Sequence, residues 1–189
     1  MPETALFIID IQTTLATDPA TRIPAAARIL AATAKILSAA RTLPHSALIV
    51  IIQHSDPSGP LTHASPSWQL VFPPLHPSEL LIHKITRDVF ASNPALAGML
   101  RGVGVREVVV CGIQSECCVE ATCVGALEAG FGVTLLGGAH STYDVGGKGV
   151  AEVEGEVEGR VRARGGRVVG WEEVVDAWEE RGEVFAPRG

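Results

Sequence analysis

Short apolar runs without internal alternation, separated by segments of helical period, constrain this chain more than any other feature. The runs occupy residues 5–9, 47–52, 80–82, 107–111, 131–136 and 168–169. Continuous apolar runs this short suit strands covered on both faces. Between 23 and about 40, apolar positions 23, 26, 27, 30, 34 and 37 recur with helical spacing, with Pro24 in the first turn. Asn93 reads as an N-cap with Pro94 at the first helical position, opening a helix to about residue 100. A further helix is expected over 116–129 with Gly130 as its stop. Over 149–164, Val150, Val153, Val157 and Val161 share one stripe, with Glu early and Arg late as the helix dipole prefers. A last helix runs from 171 to about 178. The alternation implies right-handed βαβ crossovers. The expected architecture is α/β, a three-layer αβα arrangement around a central, mostly parallel six-stranded sheet, Rossmann-like, in a single domain over 1–189. Residues 183–189 are expected to form a frayed tail. The proline-rich stretch 57–77 has no period and reads as a long structured loop, which in a compact domain is often functional.

Composition narrows the partners. Hydrophobic residues make up 47% of the 189 and aromatics only 5%, so the core must be built mainly from Ala, Val, Leu and Ile. A domain of this length buries roughly 70% of its unfolded surface and needs no metal or disulfide to hold it. The net charge of -6, with no basic block, argues against nucleic acid. No apolar run is long enough to span a bilayer, and Pro2-Glu3-Thr4 is no basic leader, so neither a membrane nor a secretion signal is expected. Cys111, Cys117, Cys118 and Cys123 crowd into one strand-to-helix unit and lack disulfide or zinc spacing. Reduced thiols in the cytoplasm are the simpler reading.

Ligands of parallel sheets bind beyond the carboxyl ends of the strands. Asp10, Lys84 and Cys118 each fall just past a different strand end. Cys118 lies one turn into a helix, where backbone N–H groups and the dipole favour a thiolate and offer an oxyanion site. A packed core thiol is the competing reading, since Cys is among the most buried residue types. Asp10 can shuttle a proton if it reaches the thiol; otherwise it is a strand-end acceptor. Lys84 is either a surface lysine or a cation that lowers the pKa of both neighbours. Cys111 and Cys123 read as core, and Cys117 as a neighbour facing elsewhere.

Asp10-Ile11-Gln12 after the first strand, Lys84, and Ser115-Glu116-Cys117-Cys118-Val119 with Thr122 and Ala126 downstream resemble the isochorismatase-like cysteine hydrolases, which include nicotinamidases and carbamoylsarcosine and ureidoacrylate amidohydrolases. The resemblance runs from residue 6 to about 178. It implies Asp10 as general base, Lys84 as the organising cation and Cys118 as the nucleophile of an acyl-enzyme mechanism. It also implies a cis peptide at Ile113-Gln114, turning N–H groups into an oxyanion hole with Gln114 beside it, and a homo-oligomer, dimer or tetramer, for which the apolar loop 66–75 offers surface.

The departures matter too. Nicotinamidases hold a metal through Asp-x-His after the second strand, whereas this chain has Gln53-His54-Ser55-Asp56. No metal or other cofactor is therefore expected, although His54, His63, His76 and His83 lie in the same region. Gly138-Ala139-His140-Ser141-Thr142 stands where the family often has Asp-Ala, which changes what steadies that edge. The expected activity is metal-independent hydrolysis of a small amide or ureido C–N bond. Trp68, Phe72, Phe90 and Tyr143 are candidates for the pocket wall, and His54 and Asp56 for polar contacts. The alternative is a catalytically retired relative that binds a small molecule or acts as a scaffold.

Overall fold

The computed structural model describes residues 3–43 and 47–184. Six strands, β1 (Thr4–Ile9), β2 (Leu48–His54), β3 (Leu80–Lys84), β4 (Glu107–Ile113), β5 (Gly132–Ser141) and β6 (Arg167–Gly170), form one sheet in the order β3-β2-β1-β4-β5-β6. Every pairing is parallel, so the mostly parallel sheet expected is wholly parallel. Chain order reverses beside β1, which has β2 on one side and β4 on the other. A crevice opens at such a switch point.

Side chains alternate across each strand, and the core divides accordingly. Leu6 and Ile8 face one layer, where α1 (Thr13–Ala16), α2 (Ala26–Thr42) and α7 (Trp171–Arg181) pack around Trp178. Ala5, Phe7 and Ile9 face the other, covered by α3 (Val89–Ser92), α4 (Leu96–Gly102), α5 (Glu120–Glu128) and α6 (Val150–Ala163). No described helix is long and apolar enough to cross a membrane.

Several boundaries differ from those read in the sequence. Pro24 lies in a turn before α2, which begins at Ala26. Asn93 caps no helix start. Asp88 does that for α3 by accepting from the Phe90 and Ala91 N–H groups, while Asn93 Nδ2 donates to the His83 and Val89 carbonyls. The short α1 carries too few residues to show a period. β5 runs on to Ser141 through a register shift against β4, with Gly138 turning the chain at φ 79°. At the far end, Glu183 N–H donates to the Trp178 carbonyl and Val184 is buried in the Trp178 cluster, so these two residues are packed and not frayed. The remaining tail, 185–189, lies outside the described residues.

Two positions show what holds the layers. Gly112 sits at φ 140° against β1, where an added Cβ would lie 2.2 Å from the Ile9 carbonyl oxygen. Gly112→Ala should therefore cost about 3 kcal/mol or more, read as a drop in denaturant midpoint; an unchanged midpoint would mean that β1 and β4 do not approach this closely. Glu79, ahead of β3, takes two hydrogen bonds from Arg41 of α2, at 2.8 and 2.9 Å, and one from the Leu75 N–H. Burial works against its charge, but Arg41 and the Leu75 N–H more than offset it and hold the carboxyl below its ordinary 4.5. A depressed carboxylate contributes stability above the ordinary value and loses it as pH falls through the folded one. Glu79→Gln should thus lower the melting temperature at neutral pH and make it less sensitive to acid between about pH 3 and pH 6.

Candidate active site

Four chain segments converge at the switch point. Asp10 follows β1 in a left-handed conformation, φ 51°, a region where Asp is tolerated better than most residues. His54 and Lys84 end β2 and β3 and are register partners, which sets their side chains next to each other. Beyond β4 the Ile113-Gln114 peptide is cis, and the chain enters a π-helical turn, Ser115–Val119, that precedes α5. The Gln114 carbonyl accepts from the Cys117 and Val119 N–H groups. That wider turn, of a kind frequent at functional sites, is where Cys118 sits.

The Lys84 ammonium is the hub. Its Nζ lies 2.8 Å from Asp10 Oδ2, with the two side chains 0% and 1% exposed. It donates to Cys118 Sγ at 3.1 Å and to the Thr86 carbonyl at 3.3 Å. It also stands 3.2 Å from His54 Nδ1. An ammonium has only hydrogens to offer, so Nδ1 accepts and Nε2 carries the ring hydrogen. That hydrogen goes to Asp56 Oδ1 at 2.8 Å. Behind this row, Gln12 clamps the loop by donating to the His54 and Trp68 carbonyls and accepting the His54 N–H.

Burial dominates Asp10 and raises its carboxyl above the ordinary 3.8, despite the Lys84 cation. Burial opposes the Lys84 charge, but Asp10 and then Cys118 overcome it and hold the ammonium above its ordinary 10.5. The Cys118 thiol is pushed above its ordinary 9.0 by its hydrogen bond to Cys117, by burial and by Asp10, with Lys84 opposing. The sequence suggested that Lys84 would lower both neighbours; burial outweighs it at Asp10, and the hydrogen bond to Cys117 together with burial outweighs it at Cys118. A thiol harder to ionise than usual thus stands beside a carboxylate more basic than a surface one. Cys117, half-buried, is held down to about 7, chiefly by the hydrogen bond from Cys118 and further by Arg87. Acidity alone would favour Cys117. Geometry favours Cys118, which is the sulfur that meets Lys84. Cys111 and Cys123 are buried and pushed up to about 12.

The other candidates separate. Trp68 is buried on the loop, its indole N–H donating to Ser55 Oγ and its ring flanked by His63 and His83. Phe90 stacks with Phe7 and Phe131 in the cluster that also contains Cys118. Phe72 and Tyr143 pack on the opposite layer, and the Tyr143 hydroxyl donates to the Thr21 carbonyl. Ile113 is buried at the end of β4. Sequence reasoning passed over the linking role of His54, which only the β2–β3 register reveals. It also assigned no role to the Ser115–His140 contact, 2.8 Å long and buried.

One ligand atom each from Asp10, His54 and Cys118 lies within 4.8 Å of the others. The Lys84 ammonium already touches all three, so a metal there would face a cation held above its ordinary pKa. The set does not fit a metal, and no second such group occurs among the described residues. Removing one half of the buried pair strands the other: Lys84→Met and Asp10→Asn should each cost roughly 3–5 kcal/mol. The double variant should recover much of that in urea unfolding, and strictly additive losses would show the two side chains to be uncoupled.

Comparison with known proteins places this geometry. A streptothricin hydrolase of Streptomyces noursei is 39% identical over 143 residues, 75% of this chain and 50% of that protein. A second from the same organism is 37% identical and is covered over 56% of its length, so the chain spans about half of these relatives. The crystal structure of the pyrazinamidase of Pyrococcus horikoshii in complex with zinc superposes with a TM-score of 0.74 at 27% identity, covering 89% of this chain and 99% of that one. A cysteine hydrolase from Pseudomonas syringae pv. phaseolicola 1448A shares the fold, with a TM-score of 0.82 at 21% identity over 94% of this chain and 93% of its own. The isochorismatase domain model matches residues 4–173, nearly the whole described chain, and the protein belongs to that family.

Proposed function

We propose that this chain is a metal-independent cysteine hydrolase that cleaves a C–N bond of a small amide or ureido compound through a thioester acyl-enzyme. The observation that carries the reading is one buried ammonium, Lys84, held 2.8 Å from a carboxylate and 3.1 Å from a thiol. The hydrolase names of the relatives, streptothricin hydrolase and pyrazinamidase, support the amide class.

Asp10 takes the Cys118 proton as the sulfur attacks the carbonyl carbon. Burial makes Asp10 a stronger proton acceptor than a surface carboxylate. The carbonyl oxygen gains the negative charge, which N–H groups of the turn around Gln114 and Cys118 stabilise. Asp10 then hands its proton to the substrate nitrogen, the C–N bond breaks, and the amine or ammonia leaves. Water, deprotonated by Asp10, attacks the thioester and releases the acid and the thiol. Lys84 keeps its proton throughout and holds Asp10 and Cys118 in register. The His54–Asp56 pair steadies Lys84 through the Nδ1 contact.

Intact-protein mass measurement after incubation with a panel of small amides, ureides and esters tests this reading, with rapid acid quenching used to hold an acyl group that deacylates quickly. An added mass on the peptide containing Cys118 is the expected result. Cys118→Ala should lose at least about 10³-fold of turnover while keeping its fold. Wild-type rates in that variant would rule the mechanism out, and a complete absence of adducts across the panel would favour a binding protein.

A further inference from the structure

The buried contact between Ser115 and His140 takes no part in the chemistry above. Ser115 is fully buried and opens the turn that carries Cys118, with its carbonyl accepting the Glu120 N–H. Its Oγ lies 2.8 Å from His140 Nδ1. His140, 1% exposed, stands on β5 directly across from Gly112 of β4, at the level where the strand gives way to the turn. Its second nitrogen, Nε2, is 3.5 Å from Glu158 Oε1 of α6. That is an ionic contact and too long for a well-formed hydrogen bond, and Nε2 has no hydrogen-bond partner among the described residues.

An imidazole this deeply buried, wedged between the turn and a carboxylate, is expensive unless it holds something in place. Glu158 stays charged, since its contact with His140 keeps the carboxyl below its ordinary 4.5. The acceptor on α6 orients Nε2–H toward itself and leaves Nδ1 to accept the Ser115 hydroxyl hydrogen. Other charges face this group. Arg162 pairs with Glu158, and Arg28 of α2 donates to the Gly138 carbonyl and Ser141 Oγ while pairing with Glu154. Glu116, next to Ser115, has a buried Oε2 without a hydrogen-bond partner.

We infer that His140 is a positioning residue: braced by Glu158, it fixes Ser115 and so aims the turn that presents Cys118 and its oxyanion-binding N–H groups. The inference rests on the cysteine-hydrolase reading and adds to it a dependence on a residue that never touches substrate. The 2.8 Å Ser115 bond and the Glu158 carboxylate 3.5 Å from Nε2 together carry it.

The test uses p-nitrophenyl acetate, whose leaving group needs no proton from Asp10, so acetylation reports on the sulfur, its deprotonation and the oxyanion turn. Nitrophenolate release and the mass of the Cys118 peptide are followed across pH for the wild type, Ser115→Ala, His140→Asn, His140→Phe and the Ser115→Ala/His140→Phe double variant. Circular dichroism checks that each variant folds. Ser115→Ala and His140→Phe should each acetylate roughly 10- to 100-fold more slowly. The double variant should be no slower than the slower single, and His140→Asn should recover part of the rate. Should His140→Phe fail to fold, Ser115→Ala, which loses only a hydroxyl, carries the test. Folded variants that acetylate at the wild-type rate, or losses that simply multiply, would overturn the inference. A wild-type protein that never acetylates Cys118 would sink the hydrolase reading as well, whereas reactive wild type with equally reactive variants would sink this inference alone.

Discussion

The buried ammonium of Lys84 is the interaction on which the rest of the site depends. Taking a lysine and an aspartate out of water costs several kcal/mol per ion, and only close geometry recovers it. The fold supplies that geometry from its backbone. Parallel register sets His54 opposite Lys84, a left-handed residue swings Asp10 off the end of β1, and a π turn lowers Cys118 toward the same point. Gln12 ties the loop carbonyls behind the row so that none of these segments drifts. The arrangement spends stability on reactivity, since a carboxylate made more basic by burial is a poor stabiliser and a good proton acceptor.

Layering explains why so small a set of side chains suffices. Cys118 belongs to the core cluster of one face, while Asp10 emerges from the strand between the two clusters. Cys118 is therefore held by packing as well as by polar contacts, and it is only 8% exposed. Around it, the 57–77 loop is anchored by its buried Trp68, whose carbonyl accepts from both Gln12 and Gln53.

Much of this was legible in the sequence. The short apolar runs located all six strands, most plainly β1, β2 and β4, where burial on both faces erases alternation. Asp10, Lys84 and Cys118 could be grouped by their shared place past strand ends, since strand polarity in a parallel sheet sends those ends to one side. What stayed hidden depended on pairing or on local exceptions. His54 meets Lys84 only through register, and no spacing rule encodes register between distant strands. β5 outran its expected end because two glycines look like a stop and here continue the strand, which carried His140 a further turn-length toward the site. Asn93 was misread because an Asn before a Pro suits a helix start, while its amide was in fact needed by the carbonyls behind it. The direction of the Cys118 shift was misjudged as well, because helix-end electrostatics are visible in a sequence and depth of burial is not.

The four thiols divide along the same lines. Cys111 and Cys123 lie in opposite layers, each sealed in its own core cluster and too weakly acidic to ionise in ordinary buffers, while Cys117 and Cys118 sit together on the turn. The chain thus carries a reporter on each side of its sheet that becomes visible to thiol reagents only when that side opens. A count of labelled cysteines would then tell which layer parts first, an order of events that no single spectroscopic probe of the whole molecule resolves.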